Sequence, residues 1–506
     1  MKTSSKGKKT WSVSGQCRFV RQRIRTNATG TCKVTLKIAR TTKHAARTAT
    51  KRMRIVAPTT SGDTVTTTTT TTIAPAVNPW AMRIGGSGID RGVAVATMAD
   101  GSSVVAGYFS GTMTVGSTPL ASAGGNDVFV AKLSAAGSVE WIKSAGGASG
   151  ADEPRAISLF PDGSAVLGGV FRDAADFGTY NLTTTGTDAF VAKISSSGQW
   201  QWAVRAGGST NDEATGVAAL ADGSVFVSGN FTGAATFGGT TLNSAGGYDA
   251  FVGKVGAQGT WSWASRAGGT GFDTSSSISV HSDGTAVVGG YFSAAGTFGA
   301  TTLNSAGDTD VFVAKVTAAG SWSWAAGGGG TGTDRGQSVA VLSDGSAVLV
   351  GYVTGNSTFG STSLVGAGSV DAFVAKVSAA GAWTWATSGG GTGTDSAQAV
   401  SVNADGSLLV GGSFEATASF GSTSLTSAGS SDAMVSVVSA SGTWNSAVRI
   451  GGSDFDSVAA VSTLSNGSAL VVGAFSSTAT AGSVTLTSAG GTDAFIGRMS
   501  SAGAFS

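Results

Sequence analysis

The sequence predicts an all-β protein whose larger part is a closed seven-bladed β-propeller of four-stranded blades, the last blade completed by the N-terminal strand of the repeat region. Three observations predict it. A tryptophan recurs at Trp80, Trp141, Trp202, Trp263, Trp324 and Trp385, with Ser446 in the seventh place, always 61 residues apart. An aspartate opening "DVFVAK", "DAFVAK" or a relative keeps the same rhythm at Asp127, Asp188, Asp249, Asp310, Asp371, Asp432 and Asp493. The final unit stops one residue before its own marker, while "NPWAMRIGG" at 78–86 stands at the front with no sibling strands ahead of it.

Each unit holds four strand-like runs, shown by the first. "GVAVATM" is strand A, "SVVAGYF" is B, "DVFVAKL" is C and "SVEWIKS" is D. A and B are joined by "ADGS", a hairpin signal because Asp-Gly supplies the positive φ angles of a tight turn. Asp162, Asp222, Asp283, Asp344, Asp405 and Asn466 stand in the equivalent turns, each followed by glycine. C and D share another short turn, and B and C are separated by a longer stretch such as "TGAATFGGTTLNSAGGY", read as a loop. Four antiparallel strands repeated at this length mark a propeller blade. Val, Ala, Gly and Phe on both faces suit sheets sandwiched between neighbours. The segment at 78–86 then supplies the missing strand D of the seventh blade, and closure removes the open sheet edges.

Composition supports a large folded chain: 506 residues, 41% hydrophobic and 12% charged, with 79 glycines but only 6 prolines. High glycine without high proline excludes the disordered low-complexity class. Charge is divided sharply. Residues 1–57 hold 16 Lys and Arg and no Asp or Glu, whereas residues 77–506 hold 15 basic and 28 acidic side chains. We therefore expect a basic β-rich module at 1–57, a Thr-rich linker at 58–76 and the propeller at 77–506. Cys17 and Cys32 each begin a short strand in the basic module. A disulfide and two free buried thiols are both compatible with that spacing. The N-terminal end has lysines but no apolar signal core, and no run approaches membrane-spanning length. Either a cytoplasmic location, an incomplete N-terminus or an unusual export route would account for that.

The long connections, D to A and B to C, share one face of the ring. Asp90, Asp152, Asp212, Asp273, Asp334, Asp395 and Asp456 lie in the first kind, and the seven strand-C aspartates end the second. Up to fourteen carboxylates would ring that face, as Ca²⁺ ligands or a negative funnel, or each would bond loop amides as Asx turns do. "SDFDS", with Asp454 and Asp456, is the best local metal candidate, and otherwise no cofactor is expected. The pairs Trp200/Trp202, Trp261/Trp263, Trp322/Trp324 and Trp383/Trp385 could stack on sugars, or pack across blade boundaries as core. Lys132, Lys193, Lys254, Lys315 and Lys376, with Val437 and Arg498 in the remaining places, read as a solvated ladder. His281 reads as a surface histidine. An enzyme must break its own symmetry, and blade 2 does so most, bringing Asp152, Glu153, Arg172, Asp173 and Asp176 to the long-loop face as a candidate ligand site.

The runs "GGSGIDRGVAVATMADGSSVVAGYFSG", "TFGSTSL" and "DAFVAKVSAAGAWTWA" resemble the bacterial seven-bladed β-propeller (SBBP) repeat family over residues 77–506. That resemblance implies an exported or surface-associated location more than an activity. "SGQCRFV" and "GTCKVTL" resemble truncated bacterial Ig-like surface domains, from which this module departs by being unusually basic. The expected function is a non-catalytic, monomeric extracellular or cell-surface binding and adhesion scaffold, holding a protein or glycan ligand on the long-loop face. The basic module would bind an anionic envelope polymer, with nucleic acid disfavoured for want of any nucleic-acid motif. A secreted polysaccharide-active hydrolase or lyase is the alternative. A third, an intracellular scaffold, would follow from a complete chain with reduced cysteines.

Overall fold

The computed structural model describes residues 80–501 and 503–505, and before them only the backbone of Lys9–Ser14, Cys17–Val20, Arg23–Thr26 and Lys33–Ile38. The chain divides into two compact units, Met1–Val77 and Asn78–Ser506. In the first, Lys9–Ser14 pairs antiparallel with Lys33–Ile38, and Cys17–Val20 with Arg23–Thr26. The two cysteine-bearing runs are strands, as expected, but each pairs with a different partner. Cys32, the side chain of Cys17, and so any bond between the two thiols lie outside the described residues. So does the linker at 58–76.

Every described strand of the second unit belongs to one repeated design. Strand A pairs with B, B with C and C with D, always antiparallel. The blades begin at Asp90, Glu153, Asp212, Asp273, Arg335, Ser396 and Asp456. In blade 7, Asp456–Thr463, Ala469–Ala481 and Val484–Met499 are followed in the sheet by Trp80–Gly86, with Trp80 opposite Arg498 and Ile84 opposite Ala494. Strand A of each blade lies against strand A of the next, and that of blade 7 against that of blade 1. The ring is therefore closed by the strand at its own beginning.

Strands B and C are buried almost end to end, as in Val225–Phe231 and Asp249–Val255. The apolar core lies between blades, where the repeated Val, Ala and Phe of one sheet meet those of the next. The two tryptophans of strand D sew the outer rim in both directions. Trp261, Trp322, Trp383 and Trp444 donate their indole N–H to strand D of the preceding blade, at the carbonyls of Arg205, Arg266, Gly327 and Ser388, at 2.8–3.1 Å. Trp141, Trp202 and Trp324 donate forward to Ser196, Ala257 and Ala379 in the following blade. The first tryptophan of each pair also meets a phenylalanine of its own blade, edge-on for Trp261 on Phe237 at 5.3 Å. These rings are boundary packing, which gives the apolar body and the polar N–H their partners together.

Three local readings are corrected. The stretch between B and C is not an open loop: Ala234–Phe237 and Thr240–Asn243, and their counterparts, form a second hairpin turning on a positive-φ glycine such as Gly238. Its first strand hydrogen-bonds the Gly-Gly end of the preceding strand D, as Thr236 does with Gly207 in both directions and Thr297 does opposite Gly268. In blades 2 and 7 the hairpin runs on from B and C, giving Ala165–Phe177 with Tyr180–Ile194 and Ala469–Ala481 with Val484–Met499. The A-to-B turn uses positive φ at the glycine alone, 88° at Gly101, with Gly101 N–H bonded to Met98 O at 2.9 Å. That is a four-residue turn closed by a left-handed glycine, not a turn with both central residues left-handed. Asp100 serves it by accepting from Ser102 N–H and hydroxyl at 2.9 and 2.6 Å.

The third correction concerns the lysine ladder, whose side chains are half-buried and not freely solvated. Lys193 stands 4.2 Å over the Phe160 ring, and Lys376 reaches Asp344 at 3.5 Å. Arg498, in the seventh place, is buried and bonds the Ala135 carbonyl and Ser468 hydroxyl at 3.2 and 2.9 Å.

Candidate functional site at the long-loop face

The fourteen aspartates of the long-loop face neither form a funnel nor meet solvent. All are buried, none more than 5% exposed. Each strand-A aspartate accepts through Oδ2 from the end of the preceding strand D, as Asp273 does from Gly269 N–H at 2.7 Å. Six of the seven strand-C aspartates accept from an amide four residues back, as Asp249 does from Ala245 at 2.8 Å, while Asp188 is paired with Arg205 instead. They are boundary pins that satisfy loop amides. Burial raises the pKa of Asp90, Asp212, Asp273, Asp310 and Asp395 to about 6, and of Asp152 and Asp456 to about 7. Among the described residues no group of three or more His, Cys, Asp or Glu is placed to hold a metal. Asp456 of the "SDFDS" pair is one of the buried pins, with Gly452 N–H at 2.8 Å.

The five residues picked out in blade 2 do not converge. Asp152 is buried and takes Gly147 and Arg172 N–H at 2.8 and 3.1 Å. Arg172, Asp173 and Asp176 are exposed on the B-to-C hairpin, where Asp173 takes the Ser149 hydroxyl at 3.0 Å and Asp176 bridges Gly146 through its backbone. Glu153 turns instead along strand A, joining residues that sequence reasoning passed over. Arg155 bonds Glu153 at 2.7 Å and also Glu213 of blade 3, and Asn126 donates to Glu153 at 2.7 Å. Burial works against the Arg155 charge, but Glu213 and Glu153 outweigh it and its pKa is raised. The signal that could have found this cluster is the position just after each strand-A aspartate: Arg91, Glu153, Glu213, Thr274, Arg335, Ser396 and Ser457. It varies while its neighbour never does.

Arg91 and Arg335 occupy this same position in blades 1 and 5. Arg91 stands 5.9 Å over the Phe455 ring and Arg335 4.5 Å over Tyr291. Neither has a carboxylate partner among the described residues. Beside Arg91, Ile89 and Phe455 are exposed, at 49% and 39%. Burial raises the pKa of Tyr108 and Tyr352, while Arg91 and Arg335 respectively pull against it.

On the opposite face, His281 is only 8% exposed, so the expected surface position is wrong. It fills the place held by Met98, Phe160, Leu220, Leu342, Asn403 and Leu464 in the other blades, buried or half-buried in each. Burial and then Lys315 lower its pKa.

No family model matches the chain, and no curated protein matches it. Among solved structures, a protein of unknown function from Dyadobacter fermentans is similar over 68% of this chain and 93% of its own, at 11% identity and a TM-score of 0.37. The WD40 domain of Neurospora crassa Pan2 covers 64% of this chain and 86% of its own, at 11% identity and a TM-score of 0.33. A protein of unknown function from Bacteroides caccae covers 63% and 89%, at 9% identity and a TM-score of 0.32. The propeller arrangement itself rests on the strand pairing described above.

Proposed function

We propose that the chain is a non-catalytic, monomeric interaction scaffold of the bacterial SBBP type, working outside the cell or at its surface and holding a protein or glycan ligand on the long-loop face. The observation that carries this reading is the break in symmetry after the buried aspartates. After an aspartate that every blade keeps, two blades carry a carboxylate-free arginine, each against an aromatic ring, with apolar side chains exposed beside one of them. Guanidinium groups on aromatic faces recognise planar anions well, so a carboxylate-bearing ligand fits best. The basic module, of partial Ig-like type, would tether the chain to an anionic envelope polymer. No helix among the described residues is long and apolar enough to cross a membrane.

Most glycoside hydrolases use one carboxylic acid held protonated beside a second, ionised carboxylate. Glu153 and Glu213 are both taken up in ion pairs with Arg155. Arrays of acidic glycans and acidic peptides, scored with and without Ca²⁺, test the proposal. The native chain is expected to bind one class, and R91A/R335A to lose about tenfold or more in affinity, the loss of charge-assisted bonds of about 1.5–3 kcal/mol. Binding indifferent to both arginines would refute the site. Cleavage of a glycan, lost in E153Q/E213Q, would establish the hydrolase instead.

A further inference from the structure

The geometry points to a proton held between two buried aspartates at each of three blade boundaries, Asp127 with Asp152, Asp310 with Asp334 and Asp371 with Asp395, making the ring's closure sensitive to pH near neutrality. The comparison that assigns it is internal. At the other four boundaries strand D carries an arginine on the strand-C aspartate: Arg83 on Asp493 at 3.0 Å, Arg205 on Asp188 at 3.1 Å, Arg266 on Asp249 at 2.7 Å and Arg449 on Asp432 at 2.8 Å. Arg205 stands opposite Phe190 in the strand register, and Ser144, Gly327 and Ser388 stand opposite Phe129, Phe312 and Phe373 in the three exceptions. Two carboxylates remain there, with no cation.

Hydrogen bonding says which oxygen needs the proton. In the three exceptions the strand-A aspartate is fully served: Asp334 takes Gly330 N–H at 2.6 Å on Oδ2, and Thr354 N–H and the Ser357 hydroxyl at 2.9 and 3.2 Å on Oδ1. Asp152 and Asp395 likewise accept from two backbone amides each. The strand-C partner is served on Oδ2 only, by Ala123, Ala306 or Ala367. Its Oδ1 is buried with no donor in all three, on residues 3%, 5% and 1% exposed, as it is in the other four strand-C aspartates, where the arginine supplies the compensating positive charge. That empty oxygen faces the other carboxylate across one glycine. A methyl placed on Gly329 would lie 2.6 Å from Asp310 Oδ1 and 2.8 Å from Asp334 Oδ2, and Gly146 and Gly390 are hemmed in by the same two atoms of their own pairs.

An oxygen without a donor beside a second carboxylate is completed by one proton shared between the two. The charged groups facing the pairs add no relief: Asp173 faces Asp152 and Glu415 faces Asp395, both acidic, and beside Asp334 stands the neutral phenol of Tyr352. Burial leads the rise to about 7 at Asp152 and about 6 at Asp310 and Asp395, and it also raises Asp127 and Asp334. The folded ring thus binds protons that the unfolded chain, near 3.8, releases. Stability from these pairs is complete below that value and is lost as pH rises through 6 to 7.

Melting of the full chain between pH 5 and pH 8.5 tests this with two sets of variants. D127N/D310N/D371N replaces the shared proton by a permanent amide N–H. Its melting temperature should equal that of the native chain at pH 5 and exceed it at pH 8, with a flatter slope between. D188N/D249N/D432N strips the arginines of their partners and should melt lower at both. An equal loss at pH 5 and pH 8 in the first set would overturn the proposal, as would a rise of the native chain at pH 8 on adding millimolar Ca²⁺, which would put a cation where the proton is assigned. Should the variants not fold, unfolding the native chain in weak buffer at pH 6 should release protons, and no release would equally overturn it.

Discussion

At the scale of single residues, the repeat is written by groups that have no room to change. Gly329 has φ +153° and would place a Cβ 2.6 Å from Asp310 Oδ1. Gly239, in a hairpin turn, has open space and no positive φ. Gly329→Ala should therefore cost about 1–3 kcal/mol, while Gly239→Ala should be neutral or slightly stabilising. Denaturant melts of the two variants check this, and equal effects would sink the account. The same scale shows where sequence reading fell short. Asp152 and Glu153 are adjacent and equally acidic on paper, yet one is a buried pin and the other an ion-pair partner of Arg155. Alternation along strand A sends them to different sides, and the partner of Glu153 comes partly from the next blade, through Arg155 to Glu213.

At the scale of elements, strands A to D were legible because their apolar runs and tight Gly-containing turns recur in every unit. The second hairpin was not, although Gly238 and its counterparts recur in every unit. Its strands are four residues or fewer in blades 1, 3, 4, 5 and 6 and expose every other residue, as in Ala234–Phe237. What stabilises them is the Gly-Gly end of a strand contributed by another blade, a partner about 30 residues earlier in the chain. Tertiary pairing decides such a short hairpin, since an isolated one is marginal. The amides that look like loop in the sequence should accordingly resist exchange. Thr236 N–H, bonded to Gly207 O at 3.0 Å, should exchange with deuterium as slowly as the ladder amides of Val225–Phe231. Exchange at the rate of a free loop would rule out the interblade bond.

At the scale of the whole molecule, everything depends on Trp80–Gly86 joining Val484–Met499. Contacts separated by some 410 residues, such as Arg83 with Asp493, must form before the ring has no free edge. A chain lacking residues 1–86 should lose its cooperative melt or associate through the bare edge of Val484–Met499. Size-exclusion and thermal melting would reveal either, and a monomer with unchanged melting temperature would contradict closure.

By itself the sequence determined the repeat, its four strands, the number of units and the displaced strand that completes the last one, because apolar runs and turn residues act locally and recur in every unit of about 61 residues. Only the tertiary structure decided which carboxylates meet water, which arginines lack partners and which aspartates face one another. Those properties arise where two blades touch, between residues that no local pattern places side by side.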